Sequence, residues 1–84
     1  MTQWIACDQC VSKTADDALS TDAAKDGEVS IVTGRARQNF VCDRCGISLP
    51  FAGRCHVVCI MTPVQRASVP SVAHWVGYYV DAET

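Results

Sequence analysis

Leucine is nearly missing from this chain: 2 of 84 residues, against 11 valines and 4 isoleucines. A helical bundle needs leucine-rich stripes, so that architecture is disfavoured, and the β-branched surplus points to short strands. Aromatic residues are scarce too, at 7%. No apolar run approaches the ~18 residues of a membrane span, so no membrane partner is expected. Neither sign of charge dominates: 7 basic and 9 acidic residues leave a net charge of −2, which argues against a uniformly basic nucleic-acid binder. Phosphate-cradling glycine loops, nucleophile–base pairs and paired-acid motifs are all missing, so the chain reads as no enzyme, with no catalytic residues. The first ten residues have neither the basic n-region nor the apolar stretch of a secretory signal. The expectation is a cytoplasmic protein with reduced thiols.

What the chain does have is cysteine, 6 in 84 residues. A chain of this length folds as one domain, 1–84, in which a hydrophobic core alone is marginal, so a metal or disulfides are expected to help. Six cysteines permit three disulfides in about 15 connectivities, but reduced thiols in paired turns are more often metal ligands. The pairs are Cys7-x2-Cys10 and Cys42-x2-Cys45. Two residues between thiolates let one tight turn offer both sulfurs to one ion, and two such turns complete a tetrahedral shell. Four sulfurs leave no open position, which suits a structural zinc site rather than a catalytic one. The 31 residues between Cys10 and Cys42 exceed the spacing of compact sites, but loop closure grows slowly in cost with length. A residue with positive φ often follows the second cysteine of such a turn. Gly46 meets that demand and Val11 does not, so the first turn is expected to be the less regular one. Four buried cysteines without a metal are the competing reading.

Cys55 and Cys59 lie in a β-branched run, residues 54–61. In a strand, Cys55, Val57, Cys59 and Met61 share a face, with Cys55 and Cys59 about 13 Å apart, too far for one ion or one disulfide. They read as small core thiols; only a helix would open a second metal site with His56 or His74. Each histidine reads as a surface or satisfied strand residue, and Trp75, Tyr78 and Tyr79 as core.

Strands are expected over 28–33, 37–42, 54–61 and 69–80. Residues 12–27 are small and polar with a single large apolar residue, Leu19, and read as a mobile loop with at most one helical turn over 15–19. Residues 72–80, if extended, are apolar on both faces, which fits a strand covered on both sides or one used in self-association. The fold class is therefore a small mostly-β domain: an antiparallel sheet with two metal-binding turns. Charge is segregated along the chain. Residues 1–34 carry −4, residues 35–66 carry all five arginines and +4, and residues 67–84 carry −2.

Trp4-Ile-Ala-Cys7-Asp-Gln-Cys10 and Phe40-Val-Cys42-Asp-Arg-Cys45-Gly46 resemble the knuckles of the zinc ribbon and rubredoxin-like class of small bacterial-type zinc-binding domains. The resemblance implies a zinc site at Cys7, Cys10, Cys42 and Cys45. It implies no single role, since the class includes nucleic-acid-binding, protein-docking and purely structural members. The leading expectation is a non-catalytic, zinc-stabilised module for protein interaction or assembly, with another protein or a second copy of the chain as partner. The second is nucleic-acid binding through the basic region 35–66, where Arg35, Arg37 and Arg44 flank the second knuckle and Phe40 could stack. The third is a rubredoxin-like carrier with iron in place of zinc. Here the sequence departs from the resemblance: neither turn is Cys-Pro-x-Cys-Gly, and Val11 stands where a glycine would.

Overall fold

The computed structural model describes residues 2–82. Its centre is the β-branched run: β5, Arg54–Met61, is buried at every position after Arg54. β1 (Thr2–Ala6) and β2 (Glu28–Ala36) flank it, and β6 (Val80–Ala82) pairs with the far side of β2. The sheet runs β1-β5-β2-β6 with every pairing antiparallel. A second, two-stranded sheet is the hairpin β3 (Phe40–Val41) and β4 (Ser48–Leu49). This is a small mostly-β domain, as the valine surplus predicts.

A central strand buried on both faces needs cover on both. One face presents Cys55, Val57 and Cys59, which pack with Ile5, Val32, Leu49, Val76 and Val80. Both cysteines are fully buried, as core thiols should be. The other face presents Val58 and Ile60, which pack with Ala18 and, more peripherally, Trp4, Val11 and Ala15. Ala18, Val11 and Ala15 belong to α1, Val11–Leu19. The segment 12–27 is therefore not the loop expected from its composition: it folds as α1 followed by a 3₁₀ turn over Asp22–Lys25. The helix docks through small residues, and Leu19, the large apolar residue that guided the expectation, is exposed.

Three further expectations are corrected. Of residues 37–42 only Phe40–Val41 is strand, because β2 runs on through Gly34 to Ala36. A Cβ on Gly34 would lie 2.2 Å from the Asp81 carbonyl oxygen, so glycine there lets β6 approach. Residues 69–80 are not a strand: they contain a short helix, α3 (Val72–Trp75), and a turn into β6. The Ser71 side chain accepts the His74 N–H at 3.1 Å and caps that helix. Before it, α2 (Pro63–Ala67) starts at a capping box in which Thr62 and Gln65 bond reciprocally, with proline in the first turn. Trp75 and Tyr79 pack partly against the core, but Tyr78 points to solvent, 88% exposed. Among the described residues no helix is long and apolar enough to cross a membrane.

Candidate metal centre

β1 delivers the first cysteine pair and the β3–β4 hairpin delivers the second. Cys7 follows the last residue of β1, and its carbonyl accepts N–H groups from Cys10 (3.1 Å) and Val11 (3.0 Å). Cys10 is the N-cap of α1, and its own carbonyl accepts the Thr14 N–H at 2.8 Å. This first turn therefore passes directly into a helix, which explains how Val11 is tolerated: a helical residue needs no positive φ. The second turn sits at the tip of the hairpin. The Cys42 carbonyl accepts the Gly46 N–H at 2.8 Å, the Cys42 N–H donates to Ile47 at 2.9 Å, and Gly46 takes φ +78°. The two turns thus differ as Val11 and Gly46 indicate, one continuing as helix and one closing a hairpin.

The structure brings together Cys7, Cys10, Cys42 and Cys45, with the four sulfurs all within 4.8 Å of one another. The Sγ atoms of Cys7 and Cys45 are 3.8 Å apart. A tetrahedron of thiolates around zinc, with bonds near 2.3 Å, has edges of about 3.8 Å. Cys7 and Cys42 are buried, Cys10 is half-buried and Cys45 is exposed. Donor set and spacing are those of a structural metal-binding site. No disulfide joins any of the six cysteines among the described residues. Cys55 and Cys59 join no candidate metal cluster among the described residues.

Proton binding within the cluster is uneven. Burial pushes the Cys42 thiol up, but backbone N–H groups of Cys45, Cys7 and Arg44 directed at it override this and bring it down to about 6. Cys10 goes the other way, to about 12, raised by burial and by hydrogen bonding with Cys7, Cys45 and Cys42. The physical content is that one thiolate is stabilised by the turn and the next must form beside it. A bound cation removes that conflict, since the metal replaces the protons.

Between the ligands of each pair stands an aspartate. The Asp43 carboxylate accepts the Ile5 N–H at 2.7 Å, while its own N–H donates to the Ile5 carbonyl at 2.9 Å. Asp8 takes the Arg54 Nε–H at 3.0 Å and also bonds His56 Nε2. A carboxylate only accepts, so Nε2 carries the proton, and Nδ1 meets the Thr33 hydroxyl at 2.7 Å. The His56 and Arg54 bonds hold the Asp8 carboxyl below its usual range. His56 is thus a buried, satisfied strand residue, whereas His74 is exposed. Sequence reasoning missed both aspartates. Their equivalent places in Cys-Asp-x-Cys were the one available signal.

The arginines of 35–66 are largely spoken for. Arg37 meets Asp81 (3.4 Å), Arg54 meets Asp8, Arg66 meets Glu28 (3.6 Å) and Arg44 bonds Asp17. The segregated charges along the chain are folded onto one another. Comparison with protein-family models, curated proteins and solved structures returns no match.

Proposed function

We infer that this is a non-catalytic protein built around one structural zinc, serving as a protein-interaction or assembly module. The observation that carries the reading is the group of four cysteine sulfurs at tetrahedral spacing. Four thiolates complete the coordination shell, so the ion holds the chain together and meets no substrate. Structural zinc in small domains contributes roughly 10–16 kcal/mol of apparent binding free energy, which is folding free energy. The ion joins the β1–α1 junction to the β3–β4 hairpin, two segments with no ladder between them.

The interaction role is supported by the hairpin's outer surface. Val41, Ile47 and Phe51 are all more than half exposed, and residues 46–53 carry no charge. Uncharged apolar surface on a small domain is what a protein partner covers. The nucleic-acid reading loses ground because four of the arginines it needs already meet carboxylates. Iron would fit the same four sulfurs, and its rubredoxin-like reading differs from the zinc reading in colour and redox activity.

Metal analysis of protein purified without added zinc is the test. One zinc per chain, colourless, is the expected result. A red protein with one iron would favour the electron carrier, and a metal-free protein with intact disulfides would overturn both.

A further inference from the structure

The geometry points to Asp43 as the positioning residue of the metal centre: it joins the second cysteine turn to the strand that delivers the first. This rests on the metal-site reading above and adds to it what sets the sulfurs in place. Ile5 lies two residues before Cys7 and Asp43 one residue after Cys42. The bond from the Ile5 N–H to the Asp43 carboxylate (2.7 Å) and the bond from the Asp43 N–H to the Ile5 carbonyl (2.9 Å) close a ring between them. The ring spans 38 positions of sequence and contains no sulfur. It therefore ties the two halves of the site together through bonds that involve no ligand atom. The neighbouring residue reinforces it from the other side, since Arg44 bonds Asp17 on α1, the helix that Cys10 caps. The two residues between Cys42 and Cys45 thus hold the segments just before and just after the first cysteine pair.

Hydrogen-bond chemistry makes the role specific. Both Ile5 and Gln3 lie on β1, and antiparallel alternation turns the backbone groups of both away from β5. Asp43 closes those of Ile5 alone. An asparagine in place of Asp43 keeps an oxygen for the Ile5 N–H, whereas alanine keeps none.

Cobalt(II) titration of the full chain, followed by its thiolate charge-transfer and d–d absorption and by competition with a chelator, reads the effect. Outer-shell partners of metal ligands typically carry about 10–100-fold in metal affinity. Asp43→Ala is expected to fall in that range and to shift the d–d bands, and Asp43→Asn to recover most of the affinity. If Asp43→Ala binds cobalt as the parent does, or if Asp43→Asn is as impaired as Asp43→Ala, the assignment is overturned. A parent chain that shows no thiolate–cobalt absorption overturns the metal-site reading itself, and this assignment with it. Should Asp43→Ala fail to fold, amide hydrogen exchange on the unaltered metal-loaded protein decides: the Ile5 amide should exchange much more slowly than the Gln3 amide. Equal, fast exchange at both would overturn the proposal.

Discussion

Six thiols in this chain have two different jobs, and substitution separates them. Cys42→Ser removes one of four clustered sulfurs and should lower the metal content and destabilise the fold. Changing Cys55 and Cys59 together to alanine should leave metal stoichiometry unchanged, because neither sits in the cluster. That double change should cost about 1–3 kcal/mol through lost packing beneath the sheet, measured by denaturant unfolding of the metal-loaded protein. Proton linkage gives a second residue-scale prediction, for the metal-free chain. Cys42 is lowered from 9.0 to about 6 in the fold, so its contribution is present above pH 9 and is lost as pH falls through 6. Cys10, raised to about 12, and Cys55 and Cys59, raised by burial, contribute in the opposite sense, losing their part as pH rises above 9. The denaturation midpoint of metal-free protein should therefore climb from pH 6 toward 9 and decline beyond it. A midpoint that falls steadily over 6–9 would contradict the assignment of Cys42 as the first thiolate.

At the scale of elements, α1 is the instructive case. Its apolar content is alanine and valine, and a reading that weighs large side chains sees only Leu19. The helix buries Ala18 completely and Thr14 nearly so, because close approach to Val58 and Ile60 requires small residues on its inner face. Ala18→Leu should overpack that contact and cost about 1–3 kcal/mol, and the amides of α1 should exchange more slowly than those of residues 20–22. The helix starts after 62 and 71 were legible, in Thr62-Pro63-x-Gln65 and in Ser71. The strand expectation for 69–80 rested on its β-branched and aromatic residues and made no use of these caps. Thr62→Ala should cost about 1 kcal/mol through loss of the cap. By contrast, β5 and the cysteine grouping could be read directly. A run of β-branched residues favours an extended backbone, and two Cys-x2-Cys turns favour convergence of four sulfurs. Beyond their shared place in Cys-Asp-x-Cys, the roles of the two aspartates were not legible, because their partners, Ile5 and His56, are distant in sequence and reach them only through the fold.

For the whole molecule, charge is the organising quantity. The acidic start and end of the chain fold back onto the basic middle, and each surface pair of this kind is worth little alone. Their combined effect is to leave few uncompensated cations. A zinc with four thiolates adds −2 to a chain already at −2. Oligonucleotides, single- or double-stranded, should therefore bind no tighter than a weak, salt-sensitive contact at near-physiological ionic strength. Sub-micromolar affinity lost on changing Arg35, Arg37 and Arg44 to alanine would reverse this view and make the basic middle a binding face.

The ring between Asp43 and Ile5 bears on more than the metal. β1 is an outer strand, and the hairpin tip lies across its rim at Ile5. If the second cysteine turn swings away when the ion is removed, the peptide groups at Ile5 join those at Gln3 as an open template for another chain. Outer strands left bare in this way recruit copies of themselves. Chelation should then do two things at once, loosening the monomer and making it adhesive. Light scattering of chelator-treated protein should rise with concentration, and re-adding zinc before aggregates form should suppress it.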